Sequence, residues 1–283
     1  MENRLQYEID AAIDFIQRGE KLALSLNEQG YFVAFSGGKD SQVLLWLVQQ
    51  AKVKYKAYYS VTTNDPLQNV QFIRKYYKEV IFLHPKDNFY ALVEKNGLPL
   101  RQMRYCCKVL KESAGAGFAT LVGVRREESV RRSKYDFVDV VSRRKEHKER
   151  VGGYDLDDMI SVNHQCIKGK DKVLLRPMLD FTEKDVWTII NEFHLPKNPC
   201  YEKVGRVGCI FCPFSSRQTI ERYCIEYPKI KETLLKSISI FLKNKPSIGL
   251  SKDEYFDWWL SDMSLQEYKE SKKQLEMDFS NHG

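Results

Sequence analysis

Two constellations carry residues fit for chemistry. The first is Ser36-Gly37-Gly38-Lys39-Asp40-Ser41, set between the apolar run Tyr31–Phe35 and the apolar pattern Gln42–Leu47. A strand, a glycine-rich turn and a helix bring backbone N–H groups and the positive end of a helix dipole to one point, which suits phosphate. Gly37 and Gly38 let the backbone approach an anion with no Cβ in the way, and Lys39 adds a mobile point charge. The turn is expected to bind a phosphorylated nucleotide. It is smaller than the GxxxxGK[ST] cradle, because only Gly37 and Gly38 separate Ser36 from Lys39.

The second constellation is made of thiols. Cys106 and Cys107 are adjacent and sit among Arg101, Arg104, Lys108 and Lys111; Cys209 and Cys212 form a CxxC closed by Pro213. Neighbouring cations favour thiolate, the form that binds metal. Together CC and CxxC supply four thiolates for one metal centre. Cys200 is a fifth candidate, so the fourth ligand stays open. Cys166, two residues after His164, is a further candidate ligand or nucleophile, and Cys224 reads as structural.

Cations gather after the run Ala119–Val124: Arg125, Arg126, Arg131, Arg132 and Lys134 fall within ten residues. Arg125, directly after a strand end, is a candidate contact for the α-phosphate or an activated group. For Arg131 and Arg132 a solvated face with i,i+4 pairs, Glu127 with Arg131 and Glu128 with Arg132, competes evenly. Thr63 ends the run Tyr55–Thr63, and Asp65-Pro66 just after it could cap the next helix.

The positioning elements follow from periodicity. Leu5, Ile9, Ala12, Ile13 and Ile16 make an amphipathic helix, with Gly19 as a break. Short apolar runs at 31–35, 55–63, 80–83, 119–124 and 173–179 read as strands, with helices at 70–77 and 88–94 between them. Thr182 as N-cap and Asp185 at the third position open a helix with Val186, Ile189, Ile190 and Phe193 on its apolar face. This alternation predicts an α/β fold, a doubly wound parallel sheet of Rossmann type, with ligand outside the C-terminal strand ends. Residues 1–215 are expected to form a nucleotide-binding domain with a charged excursion at 135–172, and 216–283 a C-terminal helical extension. Trp258 and Trp259 would anchor that extension.

The composition, 43% hydrophobic and 29% charged over 283 residues, is that of a globular chain. The N-terminus carries acids and no apolar run, no stretch approaches a membrane span, and seven cysteines without a leader point to reduced thiols in the cytoplasm. A net charge of +7 favours anionic ligands and is compatible with nucleic acid.

SGGKDS, CCKVLKE, GVRREESVRR, RPMLDFTEKDVW and GRVGCIFCP occur over residues 36–213 in an order that resembles the phosphoadenosine phosphosulfate (PAPS) reductase family of adenine nucleotide α-hydrolases. The resemblance implies that Ser36 to Ser41, Thr63, Asp65 and Arg125 bind ATP, with Lys39, Asp40 and Arg125 catalytic and Mg²⁺ assisting. It also implies a [4Fe-4S] cluster on Cys106, Cys107, Cys209 and Cys212, acting structurally or relaying sulfur, with Zn²⁺ as the alternative. The family's reductases attack with a cysteine in a C-terminal tail motif, and this sequence has none after Cys224. The chain is therefore expected to resemble DNA phosphorothioation proteins: an ATP pyrophosphatase that adenylates an acceptor, DNA or RNA, for sulfur supplied by a cysteine desulfurase. The alternatives are a sulfonucleotide reductase using Cys166 or Cys200, and a non-catalytic zinc protein that binds nucleotide or nucleic acid.

Overall fold

The computed structural model describes residues 3–141, 156, 172–261 and 263–280. His164, Cys166 and most of the 135–172 excursion lie outside them. Two compact units are present: Met1–Pro85 with Val109–Cys209, and Lys86–Lys108 with Ile210–Gly283.

The first unit is built on a six-stranded sheet. In chain order its elements are α1 (Asn3–Arg18), α2 (Glu20–Leu26), β1 (Tyr31–Ala34), α3 (Lys39–Ala51), β2 (Tyr55–Ser60), α4 (Leu67–Tyr76) and β3 (Ile81–Leu83). The second unit contributes α5 (Phe89–Asn96), and α6 (Tyr105–Leu110) leads back to β4 (Ala119–Leu121), β5 (Val138–Val141) and β6 (Lys172–Leu175). Next come α7 (Glu183–Glu192) and α8 (Cys200–Val204). The strand order is β3-β2-β1-β4-β6-β5. β1 pairs parallel with β2 and β4, and Val33 faces both Ala57 and Leu121. The order reverses between β1 and β4, so the crevice for ligand opens beyond the ends of those two strands.

One strand departs from the expected all-parallel sheet: β5 runs antiparallel to β6 at the edge, with Val138 opposite Leu175. Its sequence, VDVV, hides the strand because an aspartate interrupts the apolar run. Asp139 is tolerated at 5% exposure because Arg176, itself 2% exposed, donates to it at 2.6 Å. Arg176 also donates to the carbonyl of Asp136 and lies over the ring of Tyr135.

The stripe Leu5, Ile9, Ala12 and Ile16 of α1 is buried as expected, and α1 packs on α3. Gly19 separates α1 from α2, and a Cβ there would stand 2.4 Å from Tyr31 Oη. That hydroxyl donates to Ile16 O at 2.8 Å, satisfying a carbonyl freed by the helix end. α7 opens on the expected reciprocal cap between Thr182 and Asp185.

The second unit holds α5, α9 (Arg217–Glu226), α10 (Pro228–Lys243), α11 (Lys252–Leu260) and α12 (Leu265–Ser280). α5 packs on α10, so residues 86–108 group with the C-terminal helices, whereas the sequence reading drew a single boundary at 215. Gly97 ends α5 at φ +76°, and a Cβ there would meet Tyr255 Oη at 2.7 Å and Phe241 Cζ at 2.8 Å. In the expected C-terminal helical extension, α9 and α10 are divided where Pro228 starts α10. Among the described residues no helix is long and apolar enough to cross a membrane.

Removing one partner of a buried ion pair strands the other charge. Asp139→Ala is therefore expected to destabilise the sheet unit by about 3–5 kcal/mol in urea unfolding, and Arg176→Met with Asp139→Leu together by clearly less.

Candidate nucleotide-binding site

The turn after β1 is shaped by its own serines. Ser41, almost buried, accepts from Ser36 N and Ser36 Oγ at 3.1 Å and donates to Gly38 O at 2.9 Å. Gly37 adopts φ +79°, and a Cβ there would stand 2.4 Å from Asn69 Oδ1. Gly38 is extended (φ −79°, ψ 161°) and precedes α3, with no side chain capping that helix. The turn's carbonyls are held from behind: Asn69 donates to Ser36 O at 3.1 Å, while Gln42 and Asn198 donate to Gly37 O at 3.2 and 2.9 Å. Asn198 also donates to Asn69 Oδ1, and Tyr77 donates to Gln42. With the carbonyls engaged on one side, the N–H end of α3 is left for an anion.

The phenol of Tyr201 already stands there, accepting from Lys39 N at 2.8 Å. Burial pushes Tyr201 up to about 12, against the bond from Lys39, so the phenol stays neutral. Its ring packs edge-on against Trp187.

Charges converge beside the turn. Asp40 Oδ1 accepts from Arg125 Nε at 2.5 Å, and Oδ2 lies 3.2 Å from Lys39 Nζ. Arg125, 3% exposed, also pairs with Glu127 at 2.9 Å, and Lys39 lies 3.5 Å from Glu183. Glu127 accepts from Glu183 N at 2.6 Å, joining the turn after β4 to the start of α7. Asp40, expected to be catalytic, organises two cations with its two oxygens. The two turns meet because of Gly123, whose Cβ would lie 2.9 Å from Asp40 O.

The other expected contacts divide. Arg125 and Lys39 are brought together; Arg132 pairs with Glu128 as expected, and Arg131 is exposed. Glu127 does not pair at i,i+4, because residues 126–128 and 132–134 form short 3₁₀ turns and its carboxylate goes to Arg125. At the end of β2, Asp65 folds back to accept from Thr62 N at 2.7 Å, and Pro66 takes the N-cap of α4. Thr63 is held at φ +60°, a costly conformation for a β-branched residue. Its neighbour Asn64 is 2% exposed, with both amide atoms unpartnered.

The thiols are divided between the units. Cys209 belongs to the first and lies 3.5 Å from Thr62 Oγ1; Cys106, Cys107 and Cys212 belong to the second. Among the described residues no three His, Cys, Asp or Glu side chains are gathered to hold a metal ion, and the expected cluster is without support there. Cys200 is buried, and burial pushes its thiol up to about 11. It is a poor nucleophile.

Sequence reasoning did not single out Asn64, Asn69, Gly123, Glu127, Glu183, Asn198 or Tyr201 as site residues. Asn-Pro at 198–199 and Gly-Val at 123–124 are the local signals, and neither points to a turn more than eighty residues away.

A glycine turn between β1 and α3 at the sheet's switch point, with cations beside it, defines a nucleotide-binding fold of pyrophosphate-loop type. The chain belongs to the phosphoadenosine phosphosulfate reductase domain family, whose model matches residues 30–215. The uncharacterised protein MJ0066 of Methanocaldococcus jannaschii is 27% identical over 214 residues, covering 71% of this chain and 39% of that protein. A second, MJ0973 of the same organism, is 26% identical over 286 aligned residues, covering 93% and 62%. The chain thus spans less than two thirds of either relative's length. Among solved structures, a PAPS reductase from Candida auris in a phosphate complex is 12% identical with TM-score 0.44, covering 74% of this chain and 95% of that one. An FMN adenylyltransferase of Candida glabrata, solved with FAD and inorganic pyrophosphate, is 13% identical with TM-score 0.46, covering 73% and 62%. Both likenesses are distant.

Gly37→Ala is expected to cost about 1–3 kcal/mol and weaken nucleotide binding, because φ and contact both oppose it. Gly38→Ala, whose Cβ meets nothing closer than 3.4 Å, is expected to be tolerated. Urea unfolding and nucleotide titration read the contrast. In the native protein Cys200 should resist iodoacetamide at pH 8, since its thiol ionises only toward about 11, and react once urea returns it to the ordinary thiol range. Mass mapping of the modified cysteines checks this.

Proposed function

We propose that the chain is an ATP pyrophosphatase-type enzyme that adenylates an acceptor for sulfur insertion, with nucleic acid as the acceptor class. The observation that supports this best is the gathering of Lys39, Arg125 and the start of α3 around Asp40 at the switch point. In the proposed step an acceptor oxygen attacks the α-phosphorus of ATP. The bond from that phosphorus to the bridging oxygen breaks, and pyrophosphate leaves with the electron pair. Charge grows on the leaving group, and fixed positive groups at that point lower the barrier.

Lys39 and the N–H groups opening α3 hold the pyrophosphate. Mg²⁺ arrives on the nucleotide phosphates and supplies charge neutralisation and orientation. Arg125, fixed by Asp40 and Glu127, stands beside the α-phosphate. The terminal sulfur of a persulfide supplied through a cysteine desulfurase then attacks the activated centre, AMP leaves with the acceptor oxygen, and a thiol reductant cleaves the resulting S–S bond, leaving the sulfur on the acceptor. No step is routed through the cysteines of CC and CxxC. The reductase reading needs a nucleophilic thiol from Cys166 or Cys200; Cys166 lies outside the described residues, and the buried, protonated Cys200 does not supply one.

The test is made on anaerobically purified protein with Mg·ATP, with and without single-stranded or duplex nucleic acid, and separately with adenylylsulfate and PAPS. Pyrophosphate release without sulfite is expected, falling about 100-fold or more in Lys39→Ala. Sulfite release from a sulfonucleotide with a thiol donor would replace this reading by the reductase. Nucleotide binding without turnover in a zinc-loaded protein would replace it by the binding protein. Iron, sulfide and zinc analysis of the same sample reads the state of the thiolates.

A further inference from the structure

The second unit contains a cavity of about 510 Å³ that the proposed reaction does not use. Its volume falls within the range of roughly 300–1,000 Å³ typical of small-ligand sites. Residues 100–102, the start of α9, the end of α11 and the start of α12 line it. Arg101, Arg217, Trp258 and Trp259 dominate its chemistry, and no described acid is among the lining residues.

The two indoles present ring surface. Trp258 Nε1 donates to Met263 O at 3.2 Å and Trp259 Nε1 to Pro99 O at 2.8 Å, so both polar edges are already engaged within the chain. Tyr255 packs against Trp258 and Phe256 against Trp259, which fixes the rings before any ligand arrives. Rigid aromatic planes bind flat partners at low entropic cost.

The two arginines supply the complementary charge. Arg101 is pinned by Nε to Pro213 O at 3.0 Å, which leaves its terminal nitrogens for an anion. Arg217 is the first residue of α9, where the helix dipole disfavours a cation, and that first turn contains no acid to offset it. It makes an exposed i,i+4 pair with Glu221, worth little to stability, and the carboxylate of Asp257 also acts on it electrostatically. A cation at the rim of an aromatic cavity that no described acid lines suits an anionic ligand.

A flat ring and an adjoining anion are the two halves of a nucleotide. We propose that this cavity holds one nucleotide of a single-stranded nucleic acid, its base against the indoles of Trp258 and Trp259 and its phosphate on Arg101 and Arg217. Single strands are favoured over duplex because a stacked, paired base cannot present its face to an indole. The assignment does not rest on the adenylation reading, since every residue it uses belongs to the second unit.

The test is fluorescence anisotropy of a short labelled single-stranded oligonucleotide with the full chain. Saturable binding is expected, weakening as salt rises, with ATP competing far less well than the strand. Arg217→Ala, which removes only an exposed side chain, and Trp258→Ala should each weaken it about tenfold, while Trp258→Phe, which keeps a ring, retains it. Absence of saturable binding would overturn the proposal, as would equal affinity for duplex. Binding unchanged in both weakening variants would overturn it too. Competition by a free mononucleotide as strong as the strand itself would overturn the assignment to a strand.

Discussion

The carboxylate of Asp40 is the constraint on which the candidate site depends. It stands at the start of α3, between a lysine on its own turn and an arginine delivered from the turn after β4. Two cations held this close repel each other unless an anion sits between them, and burial of Arg125 sharpens that requirement. Asp40 thereby joins two strands' turns into one crevice. The junction also needs Gly123, because any side chain there would press on the backbone of Asp40.

Behind this ionic contact lies a neutral one. The carbonyls of Ser36 and Gly37 point into the protein, where they would be costly without partners, and the amides of Asn69, Gln42 and Asn198 meet them. Asn198 bonds Asn69 in turn, so segments from three parts of the chain lock one four-residue turn. A turn locked this way is organised before the ligand arrives, and little ordering remains to be done on binding.

The parts of this arrangement that were legible in the sequence are the local ones. Gly37 and Lys39 announce themselves because φ > 0 and a mobile charge are properties of single residues in a short motif. The stripe of α1 and the cap of α7 are legible for the same reason, since periodicity and capping are written within a few residues. Asn198 and Tyr201 were not, because their roles exist only once α8 lies beside a turn more than 150 residues earlier. β5 was hidden by Asp139, a residue that fits a buried strand only with Arg176 opposite it. The grouping of 86–108 with the C-terminal helices likewise depends on the packing of α5 against α10, which no local pattern encodes.

The ring of charges around Lys39 and Arg125 has the character of an ion exchanger already in its counter-ion form. Asp40, Glu127 and Glu183 set three negative charges against two positive ones. An entering anion must displace carboxylates held at effectively very high local concentration, and a chloride or a single phosphate brings too few contacts to do so. A polyphosphate chain bound as proposed would bring several groups at once, toward both the helix start and the paired cations, with a divalent counter-ion to offset its charge. Under the proposed function, the excess of acid over base in the resting site would act as a sieve, turning away simple salts and admitting polyanions that carry their own metal.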